Sequence, residues 1–240
     1  MGRHGTIAGR KSAQDAKRSA MFTKYTRQII VAAKDGGDPE FNFTLRAAID
    51  KAKSIGMPGA NIERAIKKGT GELEGESYEE LTFEGYGPSG VAIIVEALTD
   101  NKNRTASFIR STFDKNGGNL GTPGCVSYMF SRKGVILVEK TDDIDEDEIM
   151  MAALDAGAED MKVEDDAFEI LCDPADLKAV TDGVKEAGYE VAQSEVEFVA
   201  SIDASVAPDD MKSLRKLIDT LEDNDDVQKV AFNCDLPEEE

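Results

Sequence analysis

The cationic side chains near the start of the chain are the residues whose spacing suggests chemistry. Arg10, Lys17 and Lys24 recur every seven residues, as do Lys11 and Arg18. Seven residues is nearly two helical turns, so both series run along one flank of a helix. Arg27 and Lys34 extend that flank, and Lys67 and Lys68 close a later helical segment, where cations also suit the dipole. For one helix alone, an ordinary solvated face would explain such a row. The charge distribution favours a binding role. Residues 1–70 hold 14 Lys+Arg against 6 Asp+Glu, or +8. Residues 71–134 stand at −3 and residues 135–240 at −25, within a total of −20. A basic head on an acidic body points to phosphate gripped by one end only. Phe22 and Tyr25 read as core rather than stacking platforms, so backbone contact is better supported than base readout. A second candidate is Asp100–Thr105. There Lys102 and Arg104 stand beside the free N–H groups of a helix start, although capping by Asn and Asp explains the same residues.

Other chemistry finds little support. Gly85-x-Gly87-x-x-Gly90 has the letters of a dinucleotide fingerprint, but Val91–Val95 after it reads as a strand where that motif needs a helix. A hairpin loop is expected instead. No Gly-Lys-Ser/Thr ending follows Gly69-Thr70-Gly71. The acidic tracts Asp142–Glu148 and Glu222–Asp226 read as solvated surface, with docking of a basic partner as the lesser alternative. The single histidine, His4, and the three scattered cysteines, Cys125, Cys172 and Cys234, offer neither a triad nor a metal cluster. The expectation is a non-enzymatic protein with no cofactor, no metal and no small-molecule substrate. Val91–Val95 is the longest aliphatic run, far below the ~18 residues of a membrane span. No apolar signal-peptide core follows the polar, basic start, so a cytoplasmic location without membrane contact is expected.

The elements that must carry these residues follow from periodicity. Three short amphipathic helices are expected: Ser12–Lys34, one from about Asn42 with Leu45, Ala48, Ile49 and Ala52 inward, and one opened by Pro58 and stopped at Gly69. Strands are expected at Leu81–Tyr86, Val91–Leu98 and Val126–Phe130, with a helix from about Asn103 between the last two. From Gly134 the order is strand Val135–Val138, helix Glu146–Ala156, strands Met161–Val163 and Phe168–Leu171, helix Pro174–Ala187 and strand Tyr189–Val196. That βαββαβ order is ferredoxin-like. A last unit, Phe198–Ile202, helix Pro208–Leu221 and Val227–Phe232, is too small to stand alone and is expected to complete the middle sheet. The predicted fold is therefore α+β and multidomain. It comprises a basic helical bundle (1–76), a discontinuous α/β domain (77–133 plus 200–240) and an inserted acidic ferredoxin-like domain (134–199).

Several segments together resemble the YebC/PmpR family. They are Lys11–Arg18 with Phe22-Thr23-Lys24, Met57-Pro58, Asn61–Glu72, Glu84–Pro88, Asp100–Thr105, Gly117–Gly121 and Leu221–Gln228. The resemblance runs the whole length. It implies three domains around a cleft, a helical first domain, a middle domain interrupted by the third, and no enzyme activity. Members are described as DNA-binding transcriptional regulators. Relatives that include the mitochondrial translational activator of cytochrome c oxidase resemble ribosome-associated factors that help translation through stretches such as consecutive prolines. This chain departs from the common opening. Gly5–Arg10 stands where many members have a Lys-Trp pair followed by Ile-Lys-His-Arg, so a stacking Trp and two basic positions are absent.

Two partners thus stay open, DNA and ribosomal or transfer RNA, with the ribosome itself as a further partner in the second case. The body at −28 would be repelled by long flanking duplex, which favours RNA, whereas the family description favours DNA. A protein-docking scaffold is the third alternative.

Overall fold

The computed structural model describes residues 18–141 and 143–236, with side chains from Ala20 onward. In chain order the elements are α1 (Arg18–Ala32), α2 (Phe43–Ser54), α3 (Gly59–Gly69), β1 (Glu79–Tyr86), β2 (Ala92–Thr99), α4 (Lys102–Lys115) and β3 (Asn119–Leu120). They continue with β4 (Phe130–Glu139), α5 (Glu146–Asp155), β5 (Asp160–Val163), β6 (Ala167–Cys172), α6 (Leu177–Glu186), β7 (Val191–Ala200), α7 (Pro208–Glu222) and β8 (Val227–Phe232). The fold is α+β with two antiparallel sheets.

The head is a three-helix bundle. Ile29, Ile30, Leu45, Ala48, Ile49, Ala52, Ile62 and Ala65 fill its core, with Phe22 and Tyr25 half-buried against them. Asn42 caps α2, its side-chain oxygen accepting from the Leu45 N–H at 2.9 Å. Gly69 is required by close approach as well as helix termination. A Cβ there would lie 2.4 Å from the Ile30 carbonyl oxygen.

The first sheet runs β3-β1-β2-β8. Alternation along β2 serves two cores: Ile93 and Val95 meet Ile109 and Phe113 of α4 and Leu214 and Leu217 of α7, while Ala92 and Ile94 meet Val126, Met129 and Phe130. The C-terminal β8 joins this sheet beside β2, as its apolar pattern predicts. Gly85–Gly90 is a β-hairpin connection. Gly87 N–H donates to the Val91 carbonyl at 2.8 Å, and a Cβ on Gly85 would sit 2.7 Å from the Asn119 carbonyl oxygen. The glycines serve close backbone packing, with a strand rather than a helix following them.

The second sheet runs β5-β6-β4-β7, the ferredoxin-like order, with α5 and α6 covering one face. Two strand expectations need correction. Ser127–Met129 is a single 3₁₀ turn and the strand begins at Phe130. The separately read strands Val135–Val138, Tyr189–Val196 and Phe198–Ile202 belong to two long strands, β4 and β7, paired from Phe130↔Ala200 to Val138↔Val191. Their far ends leave the ferredoxin-like core and pack on the first sheet, where Phe130 and Phe198 meet edge to face at 6.5 Å. The polar Ser131-Arg132-Lys133 stretch looks like a break in sequence but is exposed strand surface.

Candidate nucleic-acid interface

The ten sequence-predicted cations fall into three groups. Arg10, Lys11 and Lys17 lie outside the described residues, and Arg18 is described only as the first residue of α1. Lys24, Arg27, Lys102 and Arg104 point into the protein's own contacts. Lys67 and Lys68 face outward on the last turn of α3.

The second group is organised around Asp226. Arg27 leaves α1 with only 12% of its side chain exposed, lies 5.3 Å over the Tyr78 ring and donates to the Asp226 carboxylate at 2.7 Å. It also donates to the Asp225 carbonyl at 2.5 Å and the Leu98 carbonyl at 3.3 Å. Asp226 further accepts from the Thr105 hydroxyl at 2.7 Å and from Arg104 at 3.0 Å, while Arg104 also pairs with Asp100 at 2.6 Å. Burial alone would raise the Asp226 carboxyl. Hydrogen bonds from Thr105 and Arg104, with the charge of Arg27, hold it below the ordinary carboxylate value. The expectation of a wholly solvated Glu222–Asp226 tract is therefore corrected: Asp226 is 5% exposed, and the tract's carbonyls receive the head. Lys24 donates to the Glu222 carbonyl at 2.8 Å, and Lys102 pairs with Glu79 at the start of α4.

A second clamp, absent from the sequence expectations, joins three parts of the chain. Glu195 of β7 accepts from Lys51 of α2 at 2.7 Å and from Lys229 of β8 at 2.6 Å. Burial opposes its ionisation, but the two ammonium groups pull its carboxyl well down. Between this clamp and α7 lies a cleft lined by Tyr25, Gln28, Gln193, Glu222 and Gln228. Gln28 donates to the Gln228 side chain across it at 3.0 Å. Burial and the Glu195 charge push the Tyr25 phenol up to about 12. Nothing in one-dimensional spacing pairs Lys51 with a glutamate 144 residues away.

Arg64, Lys67 and Lys68 share the outward face of α3, opposite the buried Ile62 and Ala65, and form no ion pair among the described residues. Arg64 was missed, although it stands three and four residues before the two lysines, a spacing that aligns side chains on one helical face. Also missed were Phe41 and Phe43, which are 89% and 59% exposed. Their signal was their position off the Leu45-Ala48-Ile49-Ala52 stripe. Among the described residues there is no cluster of three or more His, Cys, Asp or Glu placed to hold a metal, and no helix long and apolar enough to cross a membrane.

A basic helical head docked on two antiparallel sheets, one of them ferredoxin-like, defines a class that the comparisons identify. Residues 3–72 match the TACO1/YebC protein N-terminal domain, and residues 78–234 match the TACO1/YebC second and third domain. The chain belongs to the TACO1/YebC family. It is 52% identical over 238 residues to a probable transcriptional regulatory protein of Clostridioides difficile, covering 98% of this chain and 100% of that one. A protein of the same description from Caldanaerobacter subterraneus subsp. tengcongensis is 51% identical over 234 residues, covering 97% of this chain and 96% of that one. The crystal structure of a conserved hypothetical protein from Aquifex aeolicus superimposes with a TM-score of 0.85 at 44% identity, covering 94% of this chain and 93% of that one.

Proposed function

We propose that this chain is a regulator of gene expression, not an enzyme, that binds nucleic acid through its helical head, with DNA as the first ligand to test. The observation that carries this reading is the division among the head's cations. Lys24, Arg27 and Lys51 are committed to the body, whereas Arg64, Lys67 and Lys68 form a single outward-facing group without carboxylate partners among the described residues. Cations so placed suit phosphate oxygens, which fix position on a strand without reading its sequence. The names of the relatives, probable transcriptional regulatory proteins, support DNA. An RNA ligand, with the ribosome as its setting, is the second reading, favoured by the exposed Phe41 and Phe43, because aromatic faces suit unpaired bases.

Titration of duplex DNA with the full chain across a salt series tests the proposal. Three phosphate contacts would give a log–log slope of about −2.7, by counterion release of about 0.9 per contact on duplex. A steeper slope would mean that further cations, such as Arg10, Lys11 and Lys17, reach the strand. A flat response would exclude phosphate gripping.

A further inference from the structure

The turn between α1 and α2 is more rigid than its exposure would require. Asn42 donates from its side-chain amide to the Ala32 and Gly36 carbonyls, each at 2.7 Å, while its oxygen caps α2. The Phe41 and Asn42 N–H groups both donate to the Asp38 carbonyl, at 3.2 and 2.9 Å. Arg46 reaches back from α2 to the carbonyls of Pro39 at 2.8 Å and Glu40 at 2.7 Å. The backbone is thus fixed on both sides of Phe41, yet neither Phe41 nor Phe43 contributes to the bundle core. Two phenyl rings are held out in water by a frame that gains nothing from burying them. Removing apolar area from water is favourable, so a ring at 89% exposure on an ordered turn keeps that gain in reserve for a ligand.

The neighbourhood indicates which ligand. A Cβ on Gly37 would lie 2.6 Å from Thr70 Cγ2 and 3.4 Å from Ile66 Cγ2, so this turn packs on the last turn of α3. The rings and the Lys67–Lys68 pair therefore occupy the same end of the bundle. On the turn itself Asp38 and Glu40 are acidic, which discourages phosphate close to the rings. Cations a helix turn away beside uncharged aromatic faces match a polymer that carries its charge on the backbone and its flat apolar surfaces to one side.

We propose, resting on the nucleic-acid reading above, that Phe41 and Phe43 form a stacking platform for unpaired nucleobases while Lys67 and Lys68 take the adjoining phosphates. Bases inside a duplex already stack on one another and offer no free face, so the platform selects single-stranded or looped segments. Stacking tolerates any base, so the platform discriminates paired from unpaired rather than one sequence from another.

The test uses the full chain with 12-nucleotide single strands of mixed sequence, as DNA and as RNA, and with a duplex of the same sequence. Phe41→Leu with Phe43→Leu keeps apolar bulk and removes the π-face, whereas Phe41→Tyr with Phe43→Tyr keeps the face. The expected result is a loss of about 10- to 100-fold in single-strand affinity for the leucine pair, by the usual worth of base–aromatic stacking. The tyrosine pair should retain binding, and duplex affinity should be the same for all three proteins. Comparison of the DNA and RNA strands shows which sugar the surrounding contacts prefer, and the leucine effect is expected on both. Equal single-strand binding by the leucine and parent proteins would overturn the platform. So would an equal loss on duplex, or leucine variants that lose capture of an apolar peptide instead. If the parent bound neither duplex nor single strand, the nucleic-acid reading itself would fall, an outcome distinct from a platform failure.

Discussion

The two cationic faces of the head are alike in sequence and opposite in use. On α1, Lys24 and Arg27 stand three residues apart, and on α3, Arg64 and Lys67 do the same. The first pair is directed at carbonyls and a carboxylate of the body, the second at solvent. Residue type and spacing tell which side chains share a face. What that face meets is set by the packing of the acidic body, which places Asp226 under α1 and leaves α3 uncovered. A basic stripe can therefore be internal mortar as readily as a ligand surface.

Breaking the inward face should have the largest effect. Asp226→Ala leaves the Arg27 guanidinium buried without its carboxylate and strips Thr105 and Arg104 of their acceptor. Removal of one partner from a buried pair costs about 3–5 kcal/mol, to be read as a lowered denaturant midpoint. Glu84→Gln comes next. This carboxylate accepts from the N–H groups of Gly124, Val126 and Ser127 at 2.8, 2.9 and 2.8 Å, and the amide can satisfy only part of that set. A loss of about 2 kcal/mol is expected in the same measurement.

Acid should act on the same inward contacts. Burial opposes ionisation at Asp226, Glu195 and Glu84, but hydrogen bonds and cations leave all three carboxyls below their ordinary values. Their folded values are depressed, so their stabilisation is fully present above the ordinary carboxylate value of about 4. It is lost as pH falls through the folded values. Denaturant midpoints should be flat from neutrality to about pH 5 and fall below it, and Asp226→Asn should make that fall shallower.

The outward face should respond in the opposite sense, in binding without stability. Arg64→Glu, Lys67→Glu and Lys68→Glu together should bring the salt slope from about −2.7 towards zero while the melting temperature stays within about 1 °C. A melting temperature that dropped with the slope would show that α3 has a partner within the protein. Lys102→Ala should matter least. Its pair with Glu79 is more than half exposed on both sides, and only a few tenths of a kcal/mol are expected.

The legible part of the molecule was the part governed by local periodicity. The Leu45-Ala48-Ile49-Ala52 stripe marks the buried face of α2, the continuous apolar run at Val91–Val95 marks a strand covered on both faces, and the βαββαβ order gives the second sheet. The interface was less legible, because it depends on contacts between distant segments. Arg27 and Asp226 are separated by 199 residues, and no periodicity joins them. The length of β4 and β7 was hidden for a related reason. Ser131-Arg132-Lys133 is polar because that stretch of ladder faces water, and local polarity was read as a turn. The phenylalanines at 41 and 43 were passed over because an apolar residue outside a stripe carries no periodic signal.

The long β4–β7 ribbon has a mechanical consequence. The inserted ferredoxin-like unit is joined to the first sheet by two strands hydrogen-bonded to each other through the junction, where a flexible tether might have been expected. Swinging that unit would require shearing the ladder, so the two sheets must travel as one stiff mast. The head is held to this mast by side-chain clamps and by the connection from Gly69 to Glu79, so relative movement within the protein belongs to the head. A strand gripped at the outer end of α3 would pull against those clamps with the whole acidic body as its counterweight.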